Sequence, residues 1–255
     1  MDINDNEILE VVNKKGFKKI FQFDNKQTIQ LQGGHICPED VLNSEEGSTL
    51  TASDGLKYYI FRPSIHDYIM YGIKRHTQIV YPKEAGYIVL KLDVRSGKVV
   101  GEAGTGSGSL TLIFSELVSE KGKVVTFEKN LDFLNNAKKN IEKFSKLQNI
   151  IFINEDFGNS NYKNFFDAFF MDLKEPWFYF EKVYIAFKNG GNFGLIVPTT
   201  NQINQSINEL EASNFLVDEI VEIFHRKYKI NPNRLRPEDI MTGHTGYLIF
   251  ARKIK

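Results

Sequence analysis

The sequence predicts an α/β fold in which a doubly wound, mostly parallel sheet follows a small N-terminal β domain. Between residues 99 and 128, an apolar strand, a glycine-dense turn, an amphipathic helix and a second strand follow one another. Beyond residue 128 helical and strand-like patterns keep alternating, which is the order that produces parallel βαβ units. The first 60 residues differ, because their short apolar runs are punctuated by turn residues. These three observations give the fold class.

The N-terminal part contains three strand-like runs, at residues 19–23, 28–32 and 56–61. Turn sequences rich in Gly, Asn, Asp and Ser punctuate them, as expected for short strands. From Pro63 onward the apolar residues recur at helical spacing. We therefore predict a small β domain over residues 1–62, a helical connector over 63–93 and a larger α/β domain over 94–255.

Helical and strand-like segments alternate in the larger domain. Helical patterns are found at residues 85–92, 110–118 and 134–144, and strand-like runs at 124–127, 150–153, 168–171 and 193–197. Two further strands are predicted at residues 220–224 and 247–251, and they enclose a long loop. An antiparallel pair at the sheet edge accommodates that arrangement.

The turn after the first strand of this domain has glycine at every second position. Gly104, Gly106 and Gly108 lie where the chain must pass from strand to helix. Bare backbone N–H groups let a ligand approach closely, and glycine adopts positive φ at little cost. The dinucleotide fingerprint has the spacing G-x-G-x-x-G, whereas this turn has G-x-G-x-G. The latter spacing resembles motif I, the cofactor turn of S-adenosylmethionine-dependent methyltransferases.

Carboxylates follow four consecutive strands of the predicted sheet: Glu102, Glu128, Asp156 and Asp172. In an open α/β sheet, ligands bind over the carboxyl ends of the strands. Glu128 stands where such folds place an acid on ribose hydroxyls, and Asp156 could hold an adenine amino group while Phe157 packs on the ring. The alternative for Asp156 is a helix N-cap, the commonest role of Asp after a strand.

Composition narrows the classes of partner. Lys plus Arg and Asp plus Glu both number 32, so no global field attracts nucleic acid or a membrane, and any polyanion must bind a local patch. The single cysteine, Cys37, excludes a disulfide framework and a Cys-based zinc cluster. The five histidines show no ligand spacing, so we expect no metal. Because no long apolar run is present, we expect a soluble, cytoplasmic protein without a membrane segment.

Several stretches resemble the tRNA (adenine-58-N1)-methyltransferases of bacteria and archaea. The resemblance covers most of the chain and lies in residues 58–63, 77–83, 102–109, 172–177 and 243–248, together with Glu128. Residues 172–177 read Asp-Leu-Lys-Glu-Pro-Trp, where the family commonly has Asp-Leu-Pro-Glu-Pro-Trp. Lys174 thus replaces a proline, and the effect of this change on the loop is left open.

The resemblance implies a class I methyltransferase domain, with a Rossmann-like sheet of seven strands and an antiparallel edge pair, assembled as a homotetramer. It also implies S-adenosylmethionine as the cofactor. Asp172 would be the catalytic residue that contacts the target adenine. The residues predicted to bind the cofactor are Gln78, Val80, Glu102, Gly104, Gly106, Ser107, Gly108, Ser109, Leu110, Glu128, Asp156 and Phe157.

The reaction implied by the resemblance is methyl transfer to N1 of an adenine in the T-loop of tRNA, at position 58, with position 57 left open. Tyr81 and Trp177 are candidates for aromatic walls around the base, and core packing is the alternative for both. Residues 225–236 carry five cations without an acid, and Arg226, Lys227 and Lys229 in this run are candidates for phosphate contacts. A solvated surface is the alternative there.

Two other functions fit parts of the sequence. One is another class I methyltransferase, such as a protein isoaspartate carboxyl methyltransferase, whose glycine turn is similar. The other is a tRNA-binding subunit that has lost catalysis. Intact glycines and the acid at Asp172 favour an active tRNA methyltransferase over both.

Overall fold

The computed structural model describes residues 3–255 and divides the chain into two compact units. One unit extends to Lys74 and the other runs from Arg75 to Lys255. The division therefore falls inside the segment 63–93, which the sequence analysis treats as one connector. Met1 and Asp2, at the acidic start of the chain, lie outside the described residues. Within residues 3–255, no helix is long and apolar enough to cross a membrane.

The first unit is built on a four-stranded antiparallel sheet with the order β2-β1-β6-β5 and a separate two-stranded ladder, β3-β4. Leu9, Val11, Phe23, Tyr58 and Ile60 form much of its core. The elements are β1 (Ile8–Val12), β2 (Lys18–Gln22), β3 (Ile29–Gln30), β4 (His35–Ile36), α1 (Pro38–Leu42), β5 (Thr49–Thr51), β6 (Lys57–Phe61) and α2 (Ile65–Asp67), which continues into a π-helical turn at Tyr68–Gly72.

Strand β1 was not predicted from the sequence, and a buried acid explains why. Glu10 lies in the middle of β1, and it interrupts the apolar run that would otherwise indicate a buried strand. Its carboxylate pairs with Lys18 on β2, with 3.2 Å between Nζ and Oε2. Burial nevertheless raises the pKa of Glu10 above its usual value. The acid in β1 is therefore compensated by Lys18, a partner that becomes apparent only once β1 and β2 are known to pair.

The second unit is a seven-stranded sheet with the order β12-β13-β11-β10-β7-β8-β9. The five neighbouring strands β11, β10, β7, β8 and β9 are parallel to one another. Strand β13 is antiparallel to both of its neighbours, β11 and β12. The elements are α3 (Pro82–Lys91), β7 (Val99–Ala103), α4 (Ser109–Val118), β8 (Lys123–Phe127), α5 (Leu131–Phe144), β9 (Ile150–Ile153), β10 (Phe166–Met171), α6 (Phe180–Ala186), β11 (Phe187–Val197), α7 (Thr200–Ala212), β12 (Phe215–Val221) and β13 (Tyr247–Lys253).

The strand order places a ligand-binding crevice between β7 and β10. The chain adds β8 and β9 on one side of β7 and then returns to add β10 and β11 on the other side. At such a switch point the loops after the two strands separate in opposite directions, which opens a crevice at the carboxyl edge of the sheet. The predicted doubly wound sheet with an antiparallel edge pair is confirmed.

Two elements of this unit differ from the prediction. Helix α7 was missed because its Asn- and Gln-rich sequence has few apolar residues, and Leu210 is its only fully buried apolar side chain. Strand β12 begins five residues earlier than predicted, because Phe215 is buried in the core and pairs with Lys253. Phe224, which was assigned to that strand, is 62% exposed and lies outside it.

Candidate active site

The turn between β7 and α4 has no space for side chains at two of its glycines. Gly104 has a φ of +96°, and a Cβ atom there would lie 2.2 Å from the carbonyl oxygen of Asp172. Gly106 has a φ of +55°, and its Cβ would lie 2.8 Å from Thr77 Oγ1. Side chains rarely adopt such φ values, and these contacts are too short for any Cβ. The turn thus brings bare backbone to the carboxyl edge of the sheet.

Ser107 fastens this turn to the segment before α3. Its hydroxyl oxygen accepts hydrogen bonds from the backbone N–H groups of His76, at 3.2 Å, and Thr77, at 3.3 Å. The side-chain amide of Asn140 on α5 donates to the Ser107 carbonyl oxygen at 2.9 Å. Gly108, the next glycine, faces Ala137 on α5 and makes close helix packing possible. Residues 76 and 77 are therefore held against the glycine turn.

Glu102 is a buried carboxylate at the end of β7. Its Oε2 accepts hydrogen bonds from the hydroxyls of Thr111 and Thr126, at 2.5 and 2.6 Å. Burial raises the pKa of Glu102 to about 7, and the two hydroxyl bonds oppose this rise. Glu128, at the end of β8, accepts from the backbone N–H of Gly106 at 3.1 Å and from that of Asn130 at 3.0 Å. Both acids thus border the turn.

Asp172 directly follows β10 and lines the crevice. Its backbone N–H donates to the Ala103 carbonyl oxygen at 2.9 Å, which extends the pairing of the two central strands. The residue lines the larger cavity and is exposed to solvent. Protein atoms packed near the carboxyl group desolvate it, and together with the charge of Glu128 they raise the pKa of Asp172 to about 6.

Asp156 is held by several groups at the end of β9. Its Oδ1 accepts from the backbone N–H of Gly158 at 2.7 Å, so it does cap the short helix that begins at Phe157. Its Oδ2 accepts from the Tyr179 hydroxyl at 3.0 Å and pairs with the Lys129 ammonium. Burial raises the pKa of Asp156, but these hydrogen bonds outweigh burial, so the pKa falls below its usual value. A capping role and a ligand role remain compatible, since a carboxylate has about four acceptor sites.

Two neighbouring cavities open along this edge, and Gly104, Glu128, Leu173 and Lys174 line both of them. The larger one has a volume of about 510 Å³ and the smaller one about 250 Å³. The predicted residues that line the larger cavity are Gln78, Val80, Glu102, Gly104, Gly106, Ser107, Ser109, Leu110, Glu128 and Asp172. The smaller cavity is lined by Phe157 and also by Phe127, Lys129, Glu155, Phe178 and Tyr179, none of which the sequence analysis named.

Two predicted cofactor residues and the two predicted aromatic walls line neither cavity. Gly108 faces α5, and Asp156 lies beside the smaller cavity in its ion pair. The Tyr81 ring lies under the Arg75 guanidinium, 5.9 Å from ring centre to Cζ. Trp177 packs on the core beside β10, with its Nε1 buried and unbonded. Its neighbour Phe178 is 74% exposed and lines the smaller cavity.

The loop after Asp172 is tied down where the sequence departs from the family pattern. Gln202 on α7 donates from its side-chain amide to the Lys174 carbonyl oxygen at 3.0 Å. The Gln202 side-chain oxygen accepts from the Thr199 hydroxyl at 2.8 Å, which fixes the orientation of the amide. This pair of bonds restrains the loop at the position where a proline would otherwise restrict it.

The β12–β13 loop, residues 222–246, carries the predicted phosphate ligands. Arg226 and Lys227 are exposed and make no ion pair within the part of the chain that is described. Lys229 instead pairs with Asp239, with 2.5 Å between Nζ and Oδ2. Hydrogen bonds from Arg236 and Lys229 lower the pKa of Asp239 to about 2. Asp239, which neutralises the charge of Lys229, lies three residues beyond the cationic run 225–236.

The glycine turn, the acids at the strand ends and the seven-stranded sheet agree with a match to a known family. A family model described as the tRNA methyltransferase complex GCD14 subunit matches residues 59–242, more than two thirds of the chain. The chain belongs to this family. The predicted resemblance is confirmed.

Named relatives of this GCD14-family chain cover most of its length. It is 29% identical over 253 residues to a tRNA (adenine(57)-N(1)/adenine(58)-N(1))-methyltransferase TrmI of Methanocaldococcus jannaschii, with 89% of each chain covered. It is also 29% identical over 223 residues to a tRNA (adenine(58)-N(1))-methyltransferase TrmI of Thermus thermophilus, with 87% of each chain covered.

Solved structures agree with the fold of this GCD14-family chain. The tRNA (m1A58) methyltransferase TrmI from Aquifex aeolicus is 36% identical, with a TM-score of 0.88 and both chains fully covered. A SAM-dependent O-methyltransferase from Thermotoga maritima is 32% identical, with a TM-score of 0.93 over 100% of this chain and 95% of that one. The fold is that of the class I methyltransferases, and S-adenosylmethionine is the cofactor.

The residues present fit this cofactor. The glycine turn is a cradle that a Cβ at Gly104 or Gly106 would obstruct, as expected where a ligand lies against backbone. Glu128, which lines both cavities, can accept hydrogen bonds from a pair of hydroxyls. Phe127 and Phe157 give the smaller cavity the apolar walls that a nucleobase needs.

Proposed function

We propose that this protein transfers a methyl group from S-adenosylmethionine to N1 of adenine 58 in the T-loop of tRNA. The observation that carries the proposal is the position of Asp172, an acid that lines the larger cavity and whose backbone lies directly against the glycine turn. The names of relatives that match nearly the whole chain support the same reaction. Whether adenine 57 is a second target is not part of the proposal.

The two cavities would divide the cofactor and the target base between them. Phe127, Phe157 and Tyr179 in the smaller cavity would hold the adenosine end, with Glu128 on the ribose. The glycine turn and the backbone of residues 77–80 would hold the methionine end, with Asp172 left for the target base in the larger cavity. When bound, S-adenosylmethionine supplies a methyl group on a positively charged sulfur.

Asp172 suits an acceptor that becomes positively charged during the reaction. Adenine N1 has an in-plane lone pair and no proton at neutral pH, so no general base is needed to start the attack. The methylated ring is cationic. A carboxylate that accepts a hydrogen bond from the exocyclic amine interacts more strongly as that charge develops, which stabilises the transition state more than the ground state.

The raised pKa of Asp172 is consistent with this role. A carboxylate that is costly to ionise in the free protein gains most when a positive partner arrives. The cationic cofactor and the developing adenine cation would both favour its charged form.

tRNA is the proposed partner, and the exposed cations of the β12–β13 loop are the proposed phosphate contacts. The target base would have to leave its stack to reach Asp172, because its N1 edge is otherwise hidden. We also propose a cytoplasmic homotetramer. Exposed apolar side chains on the edge strand β12 support self-association, since Leu216 is 58% and Ile220 is 39% exposed.

The experiment is nucleoside mass analysis of an unmodified tRNA transcript after incubation with the protein and S-adenosylmethionine. The proposal predicts 1-methyladenosine in the wild-type transcript and none in a transcript with guanosine at both positions 57 and 58. An O-methylated product would instead favour the chemistry named for the Thermotoga relative. Methylated peptide carboxyls with unmodified tRNA would favour the isoaspartate alternative. No transfer to any acceptor, with intact tRNA binding, would favour a non-catalytic subunit.

A further inference from the structure

The outer part of the β12–β13 loop is an ordered extension. Backbone hydrogen bonds of 2.9 Å join Lys229 to Arg236 and Glu238 to Lys227. Tyr228 and Pro237 form an antiparallel bridge between the same two segments. Because these contacts hold the two segments together, the extension and its cations can change direction mainly by moving about the base of the loop.

Lys83, on the first turn of α3, contacts both ends of this base. Its Nζ donates to the carbonyl oxygen of Ile223 at 2.5 Å and to Thr245 Oγ1 at 2.7 Å. It also pairs with Oε1 of Glu84 at 2.5 Å, and the Thr245 hydroxyl donates to the same oxygen. The Lys83 side chain is only 12% exposed and that of Glu84 1%. A largely buried cation therefore joins the start of the loop to its end.

His244 makes a second connection at the base. Its Nδ1 bonds to Glu222 at 2.6 Å and its Nε2 to the Pro198 carbonyl oxygen at 2.8 Å. Two acceptors on one ring favour the imidazolium, and the pKa of His244 is accordingly raised, first by Glu222 and then by Pro198. Lys83 and His244 together hold residues from both ends of the loop.

Helix α3 does not need Lys83 to stay in place. At its other end, Lys91 pairs with Asp218 at 2.5 Å and with Glu219 at 3.0 Å, and the Tyr87 hydroxyl donates to Glu219 at 2.7 Å. Ala85 and Ile88 are buried in the core. Burying a cation costs free energy that an apolar side chain would avoid. The hydrogen bonds of Lys83 are thus better explained by their hold on the two ends of the β12–β13 loop than by a contribution to the stability of the helix.

We propose that Lys83 is a positioning residue for tRNA, which fixes the base of the β12–β13 loop so that Arg226 and Lys227 face the RNA backbone. The proposal rests on the proposed function for the identity of the polyanion. Lys83 follows the segment 77–80 that lines the larger cavity, with only Tyr81 and Pro82 between them. Residues that line the crevice and the residue that holds the loop base are therefore close neighbours in one short segment.

The test compares Lys83→Met with Lys91→Met, which removes a cation from the same helix but away from the loop. Thr245→Val and Thr245→Ser form a second pair, because valine removes the hydroxyl without unpairing Glu84 from Lys83, and serine restores it. Four quantities are measured on the full chain: the rate of tryptic cleavage within the β12–β13 loop, tRNA affinity, cofactor affinity and kcat with saturating tRNA.

For Lys83→Met and Thr245→Val we expect faster loop cleavage and tRNA affinity lower by about tenfold, a change of about 1.4 kcal/mol. Cofactor affinity and kcat at saturating tRNA should change little, and Lys91→Met and Thr245→Ser should resemble wild type. Unchanged loop cleavage in both variants would overturn the anchoring role. Faster cleavage with normal tRNA affinity, in a protein that methylates tRNA, would overturn the link to tRNA. If the wild-type protein does not bind tRNA, the proposed function fails, and the cleavage rates alone still decide whether Lys83 anchors the loop.

Discussion

Replacing Gly104 with Ala perturbs the glycine turn at its least tolerant position. The left-handed conformation, with φ at +96°, costs a side chain about 1–2 kcal/mol. The new methyl group would also lie 2.2 Å from the carbonyl oxygen of Asp172, which is backbone and cannot rotate away. Relieving such a clash costs about 1–3 kcal/mol more. Because the relief moves the turn and the end of β10 apart, we expect Gly104→Ala to weaken cofactor binding by at least about tenfold, or 1.4 kcal/mol.

Gly97→Ala is the matched control for this experiment. Gly97 has a similar φ, +87°, but a Cβ there has nothing within 4 Å and lies outside both cavities. In urea denaturation, the unfavourable φ should lower the free energy of unfolding of both variants. The clash should lower it further in Gly104→Ala. Calorimetric titration with S-adenosylmethionine should show a loss of affinity in Gly104→Ala alone. Equal cofactor affinity in the two variants would refute the reasoning that this turn is shaped by the ligand it binds.

Three further perturbations test other parts of the site. Gly106→Val should abolish cofactor binding in calorimetry while the fold survives, and unchanged affinity would remove the basis of the cofactor site. Because the pKa of Asp172 is raised to about 6, kcat/KM should fall as the pH drops through that value, and a profile flat to pH 5 would contradict a charged Asp172. Replacing Arg226, Lys227 and Lys229 together should lower the salt slope of log K for tRNA by about 0.7–0.9 for each phosphate that is no longer neutralised. Because Lys229 already pairs with Asp239, we expect it to contribute least to the change in salt slope. An unchanged slope would mean that the loop is only solvated surface.

The glycine turn and the acids could be predicted because their requirements are local. A strand followed by alternating glycines specifies a tight turn from a few consecutive residues, and the structure places Gly104 and Gly106 where side chains cannot fit. An acid at the end of each parallel strand reaches the same edge of the sheet whatever the details of packing. Glu102, Glu128 and Asp172 accordingly line one crevice.

The interactions that hold the site could not be predicted, because they join residues far apart in the sequence. Lys83 meets Thr245 across 162 positions, and Gln202 meets the Lys174 carbonyl across 28. Tyr179, in the short 3-10 helix Pro176–Tyr179 that follows β10, bonds to Asp156 at the end of β9. The residues next to Lys83 and Gln202 in the sequence do not reveal which distant groups these two side chains contact. Only the strand order brings their partners within reach.

Single-turnover methylation of tRNA by Asp172→Asn tests the central claim most directly, when the binding of tRNA and cofactor is measured in parallel. The amide keeps the shape of the side chain but loses the charge that complements the adenine cation. We expect binding close to wild type and a methylation rate lower by roughly 30- to 1,000-fold, a loss of about 2–4 kcal/mol of transition-state stabilisation. Because the pKa of Asp172 is raised, its charged form does not stabilise the fold, so the variant should unfold at no lower temperature at pH 8. Near-normal methylation by a folded Asp172→Asn protein would contradict the account.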